Sequence, residues 1–257
     1  MRTDNVFSSF SDRMSEVLAR VEYRRADTVE EKHTIYRMRH EAYSRAGSIT
    51  LQPLGLFTDP ADEAPNTFLF AVYIDGEMAS SIRVHVASRV EHCLPAASAY
   101  PDIIGPLLQS GACIVDATRQ VSDLKFSQRY PQLPFITMRT VCVAEDYFLA
   151  DYMVAACRVE HQAAFKRIFS AVAWSPARTY PLLAKPQALM AYESKRMRET
   201  VRSRFPFFNS SAEERRRMFE RSSTSTENQY DAIVGWRAQQ AQQSQREPAS
   251  ALVTSTA

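Results

Sequence analysis

Two strand-like runs, Phe68 to Ile74 and Met78 to Ala87, are joined by Asp75-Gly76. Asp-Gly suits the positive φ of a tight primed turn, so the spacing predicts a β-hairpin whose two strands are central in a sheet. The second strand carries Ser80-Ser81-Ile82-Arg83-Val84-His85-Val86, and Ile114-Val115-Asp116-Ala117-Thr118-Arg119 follows later in the chain. Arg83 and Asp116 thus fall inside apolar runs, where an unpaired ion costs several kcal/mol. They must pair with each other or with something that enters the protein. A polar pocket set into a sheet is the first expectation.

Composition narrows the alternatives. The chain has 257 residues, 45% of them hydrophobic, enough for one substantial core. Its 31 basic residues nearly balance 29 acidic ones, which gives no argument for a nucleic-acid partner. Cys93, Cys113, Cys142 and Cys157 form no CxxC pair or His/Cys cluster, so neither a metal site nor a redox dithiol is expected. With no apolar leader and no bilayer-spanning run, the expected location is the cytoplasm.

Along the chain, Val6, Phe7, Phe10, Met14, Val17 and Leu18 recur at near-helical spacing, predicting an amphipathic lead-in helix within 1–19. Val21 to Ala26 alternates like a strand, and Asp27-Thr28 offers an N-cap for a helix from Val29 to Arg45. Residues 46 to 66 have no sustained period and read as a long loop. Pro95, Pro101 and Pro106 punctuate a further connection. A strand over Ala112 to Thr118 then places Asp116 and Arg119 at its far end. Ile136 to Leu149 reads as helix, Tyr152 to Arg158 as strand, Glu160 to Phe169 as helix, and Ala171 to Trp174 and Gln187 to Ser194 as strands. The order describes an α/β sandwich with a mixed sheet, carried by a domain over 20–208. A helical extension over 209–238, including Ala212 to Phe219 and Gln229 to Gln239, and a disordered polar tail over 239–257 are expected beyond it.

Four segments carry a family resemblance: Tyr36-Arg37-Met38-Arg39-His40-Glu41-Ala42-Tyr43, Asp62-Glu63-Ala64-Pro65-Asn66, Ser80-Ser81-Ile82-Arg83 and Asp116-Ala117-Thr118-Arg119. Together they resemble the GNAT-like acyltransferases related to acyl-homoserine-lactone synthases, and most closely the N-acyl amino acid synthases, from Val21 to about Phe208. The resemblance implies a GNAT-like sandwich of a central mixed sheet flanked by helices. It also implies transfer of a fatty acyl group from a thioester, usually on acyl carrier protein, to the amino group of a small molecule. It places Asp116, Arg83 and Arg119 in catalysis and Arg39, Tyr43 and Asp62 at the substrate. Asp116 stands where the lactone synthases commonly carry Glu, which moves the carboxylate by on the order of one ångström and leaves the acceptor amine open. The tryptophan those synthases place after the first helix is missing from Ala46-Gly47-Ser48-Ile49, which favours the amino-acid branch.

The chemistry suits these residue types. An amine must be neutral to attack a thioester, so Asp116 or Asp62 is a candidate proton acceptor. An acceptor carboxylate would find a bidentate partner in Arg39 or Arg83. Phe135, Ile136, Met138, Val141, Val143, Phe148, Met153 and Val154 are candidates for an acyl channel, at least half of them simply core. No glycine occurs in Val121 to Phe126, where coenzyme-A-dependent members carry a pyrophosphate-binding loop, so acyl carrier protein is placed ahead of coenzyme A as thioester donor. No permanently bound cofactor is expected. Lys125, Arg129, Arg139, Lys166 and Arg167 are candidate docking cations for an acidic carrier. Structural alternatives stand beside each role. Arg83 and Asp116 could pair to set strand register, Arg39 and Asp62 could tie down the long loop, and His85 fits a satisfied core histidine. A coenzyme-A-dependent acetyltransferase and a catalytically silent ligand-binding module are the competing functions.

Overall fold

The computed structural model describes residues 10–49, 54–88 and 91–220. Val6 and Phe7 of the lead-in helix, the 229–239 helix and the tail over 239–257 lie outside these. The first described helix, α1 (Phe10–Leu18), leads into strand β1 (Val21–Arg25) and helix α2 (Val29–Arg45). Thr28 caps α2 by accepting from Glu31 N at 3.2 Å, while the Glu31 carboxylate accepts from Thr28 N at 3.0 Å, a reciprocal capping box. A 3-10 turn (Pro60–Glu63) precedes β2 (Thr67–Ile74) and β3 (Glu77–Ala87), the expected hairpin. Its turn residues have φ of 53° at Asp75 and 82° at Gly76.

The proline-marked connection is not a loop. It folds into α3 (Pro95–Ala99) and α4 (Pro101–Gln109), each opening on a proline whose missing N–H is harmless at that position. Ala96, Tyr100, Ile104 and Leu108, four residues apart, turn one buried stripe onto the sheet. That period was present in the sequence beneath the prolines. Strand β4 (Ile114–Ser122) runs past its expected end, so Asp116 and Arg119 are interior positions. There follow α5 (Leu124–Arg129), α6 (Leu133–Tyr147), β5 (Tyr152–Cys157), α7 (Gln162–Phe169), β6 (Val172–Arg178) and β7 (Gln187–Glu193). Helix α8 (Ser194–Arg204), which the sequence reading lacked, and α9 (Ala212–Phe219) complete the described chain.

The seven strands lie in the order β1-β2-β3-β4-β5-β7-β6, antiparallel except for the β4–β5 pair. One face buries Phe68, Phe70, Val84 and Val115 with residues of α6 and with Phe208 and Phe219. On the other face Ile35 and Tyr36 of α2 pack with Leu69 and Ala71, and the α3–α4 stripe packs with Ile114, Val154 and Leu189. Among the described residues no helix is long and apolar enough to cross a membrane.

Arg139 is a correction to the sequence reading. It is 9% exposed and is not a docking cation. Its Nε donates to Phe207 O and its Nη2 to Asn209 O, both at 2.7 Å, and it pairs with Glu214, fastening α9 to α6. Arg139→Met is expected to lower stability by about 2–4 kcal/mol in urea denaturation. An unchanged midpoint would show that the fastening contributes nothing.

Candidate active site

The buried face of α2 presents Ile35, Tyr36 and Arg39 toward the sheet. Arg39 Nη1 donates to both oxygens of Asp62, at 2.8 and 2.9 Å. Asp62 is held in place by the 3-10 turn, where Asp59 Oδ1 accepts from Ala61 N and Asp62 Oδ2 accepts from Asp59 N, both at 3.0 Å. Arg83 reaches across from β3. Its Nη1 lies 2.9 Å from Asp62 Oδ1 and 3.0 Å from Asp59 Oδ2, and its Nε donates to Thr118 Oγ1 at 2.9 Å. Arg119 Nη2 then donates to Asp59 Oδ2 at 2.6 Å. The result is a buried alternation Arg39–Asp62–Arg83–Asp59–Arg119, three cations against two anions.

One expectation about pairing changes here. Arg83 does not pair with Asp116; its partners are Asp62 and Asp59, because the loop before β2 folds over β3 and brings both carboxylates within reach. Asp59 escaped the sequence reading, although an aspartate before proline is a recognisable turn cap. Burial alone would raise its pKa, but the charges of Arg83 and Arg119 and the Ala61 N–H hold it at about 2. Arg39 does tie down the loop through Asp62, yet its Nε and Nη2, like Arg83 Nη2, are buried donors that find no acceptor among the described residues.

Asp116 sits on the same sheet face, opposite His85 in the β3–β4 ladder. Its Oδ2 accepts from Ala96 N at 3.0 Å, while Oδ1 is buried without a partner among the described residues. Burial pushes its pKa up to about 7, although the Ala96 N–H and the charges of Arg83 and Arg119 pull the other way. His85 is neutral, since burial and then Arg83 press its pKa down to about 3. Its Nε2 lies 3.0 Å from Ala61 O and 2.7 Å from Thr67 Oγ1. His85 Nδ1 too is buried and finds no partner among the described residues.

The opening beside these groups is made by the sheet. β4 and β5 pair only over Ile114–Asp116 and Tyr152–Val154, and then part while each keeps its other neighbour. A cavity of about 610 Å³ fills the split, within the usual size of a ligand site. Ala117 to Ser122 form one wall and Ala156 to Arg158 the other; Tyr43, Tyr180 and Leu183 close it on the α2 side. Met138, Phe165, Ile168 and Phe169 give the far side an apolar lining. Of the eight channel candidates, only Met138 lines it; Ile136, Val141, Val143, Phe148, Met153 and Val154 are core. The α7 contribution was missed because its apolar residues look like ordinary packing positions. Among the six expected site residues, Tyr43 and Arg119 are in the cavity wall, while Arg39, Asp62, Arg83 and Asp116 are buried outside it.

Arg119 is placed by strain. On β3, Arg83 and Ser81 face Thr118 and Val121, so β4 carries one extra residue and bulges. Arg119 takes φ of 54° there, an uncommon conformation for a side chain of its size and one that clusters at functional sites. The bulge lets it touch both the ion network and the cavity.

Comparison with known proteins identifies the class. The profile of the family described as N-acyl amino acid synthase FeeM matches residues 34–193. No curated protein matches the chain in sequence. The structure of FeeM, an N-acyl amino acid synthase from uncultured soil microbes, is similar with a TM-score of 0.58 at 15% identity, over 70% of this chain and 94% of that one. BjaI, a CoA-dependent acyl-homoserine lactone synthase, is similar with a TM-score of 0.50 at 12% identity, over 72% and 89%. At these identities the likeness is one of fold, the GNAT-like acyltransferase sandwich. With its family profile spanning the helix arginine, the loop carboxylates and the split sheet, the chain belongs to the N-acyl amino acid synthase FeeM family and is an N-acyltransferase.

Proposed function

We propose that the protein moves a fatty acyl group from an acyl carrier protein thioester to the amino group of an amino acid or similar small amine, in the cytoplasm, through a domain over 20–208. The observation that carries this reading is the cavity in the β4–β5 split, apolar at one end and bordered at the other by an ion network with one surplus cation. A fatty chain suits the apolar end, and an acceptor carboxylate would balance the surplus charge.

The amine enters from the Tyr180 side toward the free Oδ1 of Asp116, which takes a proton near neutral pH. The neutral nitrogen attacks the thioester carbonyl, the C–N bond forms, the C–S bond breaks, and the thiol leaves with a proton. Arg83 and Arg119 orient the acceptor, and Tyr43 packs beside it. Arg39 offers its unused donors to the acceptor, and Asp62, with both oxygens engaged by arginines, holds Arg39 and Arg83 in position.

Support for a carrier protein over coenzyme A comes from the α6 N-terminus. Leu133 N and Phe135 N already donate to Tyr130 O and Gln132 O at 2.9 Å, and Pro134 has no N–H to offer a pyrophosphate. Exposed Lys125 and Arg129 on α5 and Lys166 and Arg167 on α7 stand on helices that border the cavity. Docking through them should weaken with salt.

Mass spectrometry of lipid extracts from cells overproducing the protein tests the reading. A new N-acyl amino acid is expected, absent from cells producing Asp116→Asn. No new lipid, together with no transfer from purified acyl carrier or acyl-CoA donors, would leave a silent binding module as the better account. Transfer from acyl-CoA alone would remove the carrier protein.

A further inference from the structure

Tyr180 lies in the turn between β6 and β7, and no sequence pattern singles it out. It is 3% exposed and forms part of the cavity wall. Its hydroxyl is buried and finds no hydrogen-bond partner among the described residues. A buried, unsatisfied hydroxyl weakens a fold, and phenylalanine would fill the same space without that burden. The hydroxyl must therefore meet something that is not part of the empty protein.

The turn that carries it is fastened rather than loose. Arg119 Nη2 donates to Pro181 O at 3.3 Å, Ala184 N donates to Ser48 O at 3.0 Å, and Lys185 Nζ donates to Ala46 O at 2.9 Å. Tyr180 is thus positioned by the strained arginine of β4 and by the chain leaving α2. Burial first, and then the negative charge of Asp116, raise its pKa well above the usual phenol value; the charges of Arg119, Arg83 and Asp59 reach it as well. It keeps its proton and acts as a donor at any working pH.

We infer that Tyr180 is a specificity-determining residue of the acceptor subsite, its hydroxyl donating to a carboxylate oxygen of the acceptor held between Tyr180 and Arg119. This rests on the acyltransfer reading, and it narrows the acceptor to amines that carry a carboxylate. In that pose the nitrogen points toward Asp116 and the acyl group toward the apolar end of the split.

The test is Tyr180→Phe, which removes one oxygen and no protein contact. Its melting temperature should equal or exceed that of the wild type, since an orphaned polar group is gone. Titration calorimetry with N-dodecanoylglycine, a product-like probe, should show binding about tenfold weaker or more in the variant. N-ethyldodecanamide, in which a methyl group replaces the carboxylate and leaves no acceptor there, should bind both proteins alike. In acyl transfer the acceptor KM should rise by a similar factor while the donor KM stays unchanged. Equal binding of N-dodecanoylglycine by both proteins would overturn the role of Tyr180, even if the wild type transfers acyl groups. A wild type that binds the probe through Tyr180 but transfers to no amino acid would overturn the acyltransfer reading and leave the subsite standing. Failure of the wild type to bind the probe at all would overturn the carboxylate subsite, while the acyltransfer reading stands or falls on the lipid extracts.

Discussion

Replacing Arg83 with alanine is expected to abolish acyl transfer and to lower the melting temperature by on the order of 10 °C. Arg83 is fully buried and joins two carboxylates, the buried Asp62 and the partly exposed Asp59. Without it the network separates into Arg39–Asp62 and Asp59–Arg119, and each carboxylate loses a partner, Asp62 in the buried interior. Breaking a buried ion pair by deleting one member costs about 3–5 kcal/mol. For a domain of this size that corresponds to the shift stated above. Arg83→Lys keeps the charge but cannot bridge Asp62, Asp59 and Thr118 at once, so it should fall between the two. Thermal melts by circular dichroism, paired with an acyl-transfer assay, check both halves. A folded Arg83→Ala protein with wild-type turnover would remove Arg83 from the site and reduce the network to scaffolding.

Asp116→Asn separates stability from activity. In the folded protein burial lifts the Asp116 pKa to about 7, against an ordinary value of 3.8. Between these values the native state holds a proton that the unfolded chain has released, so stability falls as pH rises across this window. The group's favourable contribution is complete below about pH 4 and gone above about pH 7. The total is on the order of 4 kcal/mol as an upper bound. The carboxamide of the variant does not titrate. The stability of wild type relative to variant should decline from pH 4 to 7 and then level off, as followed by urea denaturation at several pH values. Catalysis runs the opposite way. If Asp116 takes the amine proton, wild-type kcat/KM rises with pH through about 7, and the variant loses that limb with a drop of about a hundredfold or more. A flat stability difference would place Asp116 at an ordinary carboxylate pKa, and unchanged turnover would deny it the base role.

Local rules were enough for much of this molecule. The Asp75-Gly76 hairpin, the Thr28-capped helix, the succession of strands along the chain and the presence of charge at Arg39, Asp62, Arg83, Asp116 and Arg119 all followed from the sequence by itself. Turn chemistry, capping and the cost of burying an ion act over a few residues and leave a readable pattern. The α3–α4 pair is equally local, but Pro95 and Pro101 stand at helix starts and Pro106 is tolerated inside α4, so a reading of the prolines as punctuation hides both helices. Partners are another matter. That Arg83 meets Asp62 and Asp59 instead of Asp116 depends on how the loop before β2 folds over β3. That β4 bulges at Arg119 depends on the register with β3. The cavity exists because β4 and β5 diverge after three paired residues, and Tyr180 and the α7 side chains reach it from segments distant in the chain. Only the tertiary structure decided these. Ion pairing and cavity shape depend on the separation of groups in space, and sequence spacing does not encode that once the chain has crossed the sheet.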